Sequence, residues 1–275
     1  MHSPLEYRKA HQAQRADASQ LIEECLPKLK WRFDGHDTLI DVGSSSGDIL
    51  FDFIYPRMPK NFTRVVCTDV NPKMVKYAKE FYGTYAKTEF RTLNIECQEG
   101  VGEQFKGRFD HVTSFYALHW TKDLRKAFRN IYELLRNENG DCLLLFLINW
   151  SKVYGFYDIL RNSVKWSQYI NNFERLTAPL HYSKDPRQDL MDILNDLGFS
   201  KYDIEIKDRI VHYDSEEIFR DNMVAISPFI TNVPLELREQ FGHDLVEAAA
   251  SLGCRDEEDG SFRISYKVAV VLAIK

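Results

Sequence analysis

Thr38-Leu39-Ile40-Asp41-Val42-Gly43-Ser44-Ser45-Ser46-Gly47, residues 38–47, decides how this chain is read. A short apolar run from Leu39 to Val42 stops at two glycines with three serines between them. Beyond them Ile49, Leu50, Phe53 and Ile54 recur at helical spacing until Pro56 and Pro59. The pattern is strand, sharp turn, helix. Gly43 and Gly47 let the backbone turn tightly and approach a ligand closely. The helix start offers free N–H groups, aided by Ser and Asp.

Working outward, the pattern repeats. A second apolar run begins at Val65 and ends at Asp69 and Val70; Asn71-Pro72 then reads as an N-cap with proline at the first helical position. That helix carries Met74, Val75, Tyr77, Ala78 and Phe81. Strands are expected at Glu89–Leu93, Phe109–Phe115 and Cys142–Ile148, with a helix at Leu124–Leu135 closed by Asn139-Gly140. Strands alternating with helices give an α/β fold, a parallel sheet with helices on both faces. Residues 149–195 read as helical and aromatic-rich, 201–213 as a strand, 215–241 as helical and 266–274 as a closing strand. The expected organisation is one domain. It has an N-terminal helical segment (1–34), a cofactor-binding core (35–148), a substrate lid (149–200 and 214–262) and closing strands (201–213 and 264–275).

The bulk composition agrees. A chain of 275 residues, 44% hydrophobic and 28% charged, suits a single packed domain. A net charge of −5 argues against nucleic acid as a partner, which needs a basic footprint. The polar first twenty residues hold no secretion signal, and no run approaches the ~20 apolar residues of a membrane span. Five cysteines without a C-x-x-C pair read as reduced thiols. A cytoplasmic protein with no membrane insertion is expected; oligomeric state is not legible.

In such a sheet ligands bind beyond the carboxyl ends of the strands. Asp69, 28 residues after Asp41, stands where a carboxylate accepts hydrogen bonds from both ribose hydroxyls of an adenosine. Two details favour S-adenosylmethionine over NAD. The G-x-G-x-x-G spacing is missing, and the acidic Asp48 repels a pyrophosphate while tolerating an amino group and a sulfonium. After the third strand, Asn94 and Ile95 stand where adenine is reached, although Asn94 alone is also an ordinary loop cap. After the fourth comes Ser114-Phe115-Tyr116-Ala117-Leu118-His119-Trp120. His119 has two readings, a group steering a substrate carboxylate or a satisfied loop histidine. Trp120 either donates its indole N–H to a carboxylate or fills core.

Several stretches together resemble the insect juvenile hormone acid methyltransferases. They are Tyr7-Arg8-Lys9 to Gln14 with Asp17-Ala18, Ile40 to Gly43, Met74 to Ala78, Phe109 to Tyr116 with Leu118-His119-Trp120, Gly140 to Leu144, Pro179 to Tyr182, and Ala225 to Phe229. The resemblance implies a Rossmann-like class I methyltransferase: a mostly parallel seven-stranded sheet with an antiparallel last strand and a helical lid over the strands' carboxyl ends. It implies S-adenosylmethionine as cofactor, no metal, and methyl transfer to a small apolar carboxylic acid, juvenile hormone acid or farnesoic acid. Gln14 and Trp120 match carboxylate-holding positions, with His119 beside them. Asp41, Gly43, Asp69, Asn94 and Ser114 match cofactor-contact positions, and Ser45, Gly47 and Ile95 beside them are expected to bind the cofactor as well. One departure is Ser45, where the family's G-x-G-x-G loop has its second glycine; its Cβ and hydroxyl must fit near the methionine part of the cofactor. Two alternatives stay open: a paralogue acting on another fatty or terpenoid acid, and a catalytically weak protein that binds cofactor or apolar ligand without turnover. An NAD-dependent dehydrogenase comes last.

Overall fold

The computed structural model describes residues 12–173 and 177–275, with side chains from Arg15 onward. Seven strands form one sheet: β1 (Thr38–Val42), β2 (Arg64–Asp69), β3 (Thr88–Thr92), β4 (His111–Phe115), β5 (Asp141–Asn149), β6 (Lys201–Tyr213) and β7 (Phe262–Ile274). Their order is β3-β2-β1-β4-β5-β7-β6. The first five run parallel, and β7 is antiparallel to both its neighbours. The sheet therefore has the mostly parallel form with an antiparallel last strand that the sequence suggested. β1 and β4 are buried along their whole length, as strands covered on both faces must be.

Among the described residues seven α-helices cover the sheet: α1 (Gln12–Cys25), α2 (Pro72–Tyr82), α3 (Leu124–Leu134), α4 (Ser151–Arg161), α5 (Pro186–Leu197), α6 (Glu216–Ile226) and α7 (Arg238–Ser251). Their ends follow local chemistry. The Asn71, Asp123, Asp185 and Ser215 side chains each accept a backbone N–H of the first turn, and Gly198 closes α5 in the left-handed region at φ 88°. One face of the sheet packs Leu39, Val65 and Leu145 against α1, α4, α6 and α7. The other packs Ile40, Val112 and Leu144 against α3 and α5.

Three expectations differ from the structure. The segment after Gly47 forms a π-helical turn at Leu50–Ile54 and a 3₁₀ turn at Tyr55–Arg57, because Pro56 stops a regular helix. The stretch 149–195 is not one helical block: α4 ends at Arg161, turns follow, and α5 starts at Pro186. That second helix packs against β6 and α3 on a face of the sheet rather than over its top. The stretch 215–241 is two helices, since Pro228 and Pro234 cannot continue α6; the second, α7, runs on to Ser251. No helix among the described residues is long and apolar enough to cross a membrane.

At the amino end of the sheet His111, fully buried, lies between two aspartates. Its Nδ1 is 2.5 Å from Asp141 Oδ1 and its Nε2 is 2.9 Å from Asp37 Oδ1. The same carboxylates accept the backbone N–H groups of Lys30 and Arg32, so the connection from α1 to β1 is pinned beneath the sheet. Trp31 packs on the imidazole at 4.3 Å between ring centres. Burial opposes the imidazolium, but the bonds to Asp141 and Asp37 outweigh it and raise the group to about 9. The folded chain thus keeps a proton that the unfolded chain releases near 6.5, so stability falls as pH rises from about 6.5 to 9. Thermal unfolding across that range should show the melting temperature declining. His111→Gln should unfold earlier, by about 3 kcal/mol, and with a flatter profile. A flat profile in the parent chain would refute the charged assignment.

Candidate active site

Two loops meet above β1 and β4. Gly43 has φ +75°, and a Cβ built on it falls 2.2 Å from the Cβ of Ala117 in the loop after β4. Only glycine permits that approach. Gly47, at φ +84°, turns the chain back; a Cβ there would press on Ala78, Phe51 and Tyr82 at 3.2–3.3 Å. Gly47 therefore packs the loop on α2, on the side away from the opening.

Between the loops lies a cavity of about 340 Å³, within the range of small-molecule sites. Of the residues singled out from sequence, Gly43, Ser45, Asp69, Asn94, Ile95 and Trp120 line it. Asp69, at the end of β2, accepts the backbone N–H of Ser45 (3.0 Å) on one oxygen and that of Asn71 (2.8 Å) on the other. Each oxygen keeps a second lone pair. Burial pushes this carboxyl up, against the pull of those two N–H donors. Asn94 does both things foreseen for it: its Oδ1 accepts the Glu96 N–H at 3.0 Å as a loop cap, and it faces the cavity. Val70, Met74, Leu93 and Leu118 add apolar walls that the sequence reading missed. Their signal was position: Val70 and Leu93 each follow a strand end by one residue, Met74 is on the first turn of α2, and Leu118 opens the short turn after β4.

Three of the predicted residues lie beneath or behind the cavity. Asp41 is buried and does not line it. Its Oδ1 accepts the Thr113 hydroxyl at 2.6 Å, and burial raises its carboxyl to about 6. Ser114 donates to the Val42 carbonyl at 2.8 Å, tying β4 to β1 under the loop. Asp48 does not face the cavity: it pairs with Arg15 of α1 (2.5 Å) and accepts from Ser46. Its charge therefore does not choose between cofactors, a correction to the electrostatic reading. Gln14 lies in α1, but its side chain falls outside the described residues. The helix itself is tied down at two residues just after that position. Arg15 bonds Asp48 and Asp52, and Asp17 accepts the hydroxyls of Tyr116 (2.8 Å) and Tyr266 (2.5 Å).

Ser45 adopts φ 51°, the left-handed conformation that its family's glycine favours. It is buried; its N–H serves Asp69 and its hydroxyl lies 3.8 Å from the Met74 sulfur. The departure from glycine is thus accommodated at a backbone cost.

A second, narrow space of about 20 Å³ adjoins the first, sharing Trp120, Ile226 and Pro228 with it. Its walls are aromatic and include His119, Trp150, Tyr157 and Phe229. Burial drives the His119 imidazole down to about 3, so it is neutral at any physiological pH.

A glycine cradle after β1, an acid after β2, and this strand order define a class I methyltransferase, with S-adenosylmethionine as cofactor. The residues fit that cofactor: Asp69 offers free acceptor capacity for a ribose, and the Gly43 turn leaves the backbone bare where a Cβ would obstruct. Residues 40–142 match a family model described as a methyltransferase domain. The chain is 41% identical to juvenile hormone acid O-methyltransferase of Drosophila melanogaster over 98% of its length and 91% of that protein's. It is 36% identical to the Bombyx mori protein of the same name, over 98% of this chain and 96% of that one. Among solved structures, the YcgJ protein of Bacillus subtilis superposes with a TM-score of 0.61 at 16% identity, covering 94% of this chain and 98% of that one. The chain belongs to the juvenile hormone acid O-methyltransferase family and is an S-adenosylmethionine-dependent O-methyltransferase.

Two substitutions probe the cradle. Gly43→Ala should weaken S-adenosylmethionine binding at least about tenfold by titration calorimetry, because the new methyl must displace the Ala117 loop. Ser45→Gly should raise stability by up to about 1 kcal/mol by relieving the left-handed serine, with cofactor binding kept or tightened. Loss of binding in Ser45→Gly would mean that the hydroxyl itself contacts the cofactor.

Proposed function

We propose that this enzyme methylates the carboxylate of juvenile hormone acid or farnesoic acid to the methyl ester. The observation that carries this reading is the pair of adjoining cavities. A polar-edged one holds Asp69 and the glycine loop, and an aromatic one lies beyond Trp120. The first suits an adenosine; the second, at about 20 Å³, is an aromatic cleft whose side chains must part to admit an apolar chain, and Trp120 stands between them. The relatives' name supplies the acid, and each buried methylene of its chain contributes about 0.8 kcal/mol.

A carboxylic acid of ordinary pKa, about 4, is ionised at neutral pH, so the residues need not remove a proton. When bound, S-adenosylmethionine supplies an electrophilic methyl group. The chain's own task is orientation. The indole N–H of Trp120 and the amide of Gln14 hold one carboxylate oxygen, leaving the other free to attack. Both donors are neutral and do not blunt the nucleophile with an ion pair. His119, neutral and buried beside Trp120, adds no competing charge. Arg15 and Asp17 fix the helix that carries Gln14. The buried Tyr157 and Phe229 wall the aromatic space beyond Trp120, where the chain of the acid would lie.

Trp120→Phe and Gln14→Ala should each lower kcat/KM for farnesoic acid by about 10–100-fold, the worth of a hydrogen bond to a charged group, while the dissociation constant for S-adenosylmethionine stays within about twofold. Parallel loss of both quantities would place these residues on the cofactor instead. No ester from the parent enzyme with either acid would overturn the substrate assignment.

A further inference from the structure

Packing alone does not hold Trp120. The residue is 40% exposed and sits on a single 3₁₀ turn, Leu118–Trp120, in the connection from β4 to α3. The backbone bonds of that turn end with the Thr121 N–H on the Leu118 carbonyl. The next two N–H groups, of Lys122 and Asp123, both go to one atom of another loop, Oε1 of Glu96, at 2.7 and 2.8 Å. Glu96 stands in the loop after β3, two residues beyond Asn94, and lines the cofactor cavity together with Trp120 and Thr121. A carboxylate that takes two N–H groups just ahead of a helix makes bonds of the stronger, charge-assisted kind. The loop that carries it is itself fixed. Asn130 of α3, 1% exposed, donates its side-chain amide to the Ile95 carbonyl at 2.7 Å and to the Cys97 carbonyl at 3.1 Å, on either side of Glu96.

We propose that Glu96 is a positioning residue for the methyl transfer: by clamping the backbone just after Trp120, it sets the place at which the indole N–H meets the carboxylate of the acid. This rests on the carboxyl-methylation reading above. One extended residue, Thr121 (φ −74°, ψ 151°), separates the clamped Lys122 from Trp120. The Thr121 hydroxyl is bonded to the Leu118 carbonyl at 2.6 Å, so the link is stiff and slack at Lys122 passes to the ring. A misplacement of about 1 Å in a group that orients a substrate can cost about a hundredfold in rate. Glu96 acts through the loop and does not touch the acid. The competing role for a carboxylate on this wall is a direct contact with the cofactor. That role would show in cofactor affinity, whereas a clamp on Trp120 shows in turnover of the acid.

The test is a double-mutant cycle on farnesoic acid methylation with Glu96→Ala, Trp120→Phe and the two combined. Glu96→Ala should lower kcat/KM by about tenfold, with the dissociation constant for S-adenosylmethionine within about twofold of the parent. In the Trp120→Phe background the same change should cost less than about twofold, because the N–H it positions is already gone. Glu96→Gln keeps an acceptor oxygen and should restore kcat/KM to within about threefold of the parent. Glu96→Asp, a methylene too short to reach both N–H groups, should behave as Glu96→Ala and carries the cycle if the alanine variant fails to fold. Full additivity, or a loss of cofactor affinity as large as the loss of kcat/KM, overturns the proposal and places Glu96 on packing or on the cofactor. Amide hydrogen exchange, followed by NMR in the absence of any acid, reads the clamp without relying on the reaction. The Lys122 and Asp123 amides should exchange at least about fivefold faster in Glu96→Ala, with the β1 and β4 amides unchanged. Unchanged exchange at 122 and 123 would refute the clamp itself. No ester from the parent enzyme would instead sink the methylation reading, with the exchange rates still deciding whether Glu96 holds the loop.

Discussion

The approach of Gly43 to Ala117 is the constraint on which the rest of the site depends. At 2.2 Å for a hypothetical Cβ, two loops from neighbouring strands are held closer than any side chain would allow. With the loops so placed, the chain must turn through left-handed conformations at Gly43, Ser45 and Gly47 in succession. That turn brings the Ser45 N–H onto the Asp69 carboxylate and opens the cavity between β1, β2 and β4. The left-handed serine is a strained feature of the kind that concentrates where a ligand is to be held, and the half-buried Asp69 beside it keeps acceptor capacity unused.

Beneath the loops a second layer fixes their height. Thr113 bonds the Asp41 carboxyl, Thr68 the Asp41 carbonyl at 2.7 Å, and Ser114 the Val42 carbonyl. Every one of these contacts joins adjacent parallel strands through side chains, in a region where the backbone ladder is ending. Above, α1 is clamped at two points by ion pairs and tyrosine hydroxyls. The methyl-donor side is thus rigid from below, and the acid side is closed from above by a helix that is held by its polar residues.

The alternation of apolar runs and amphipathic stretches made the sheet legible, because parallel strands covered on both faces are continuous apolar runs. The ends of strands also told where the loop, Asp69 and Asn94 would stand. The chemistry of Asp41 and Asp48 was not legible. Both acids sit beside the glycines, but their partners, Thr113 and Arg15, are 72 and 33 residues away, and nothing in local spacing announces a bond of that kind. The aromatic segment after Asn149 reads as helical throughout for a related reason, although turns separate α4 from α5. Apolar spacing persists through turns when those turns also pack on the core, as Trp166, Ile170 and Phe173 do. Proline was the signal that should have divided the stretch 215–241, at Pro228 and Pro234.

The position of β7 has a consequence for how the molecule assembles. β5 and β6 are not neighbours in the sheet; both edges wait for β7, which begins at Phe262, long after β6 ends at Tyr213 and longer still after β5 ends at Asn149. As the polypeptide leaves the ribosome, the five parallel strands can order early, while β6 remains without a hydrogen-bonding neighbour. Tyr266, on the same late strand, also completes the anchor of the helix at the opposite end of the sequence. Such pairings close long loops and are slow to form. Until β7 docks, the nascent chain presents an open sheet edge of the kind that chaperones cover and aggregation exploits.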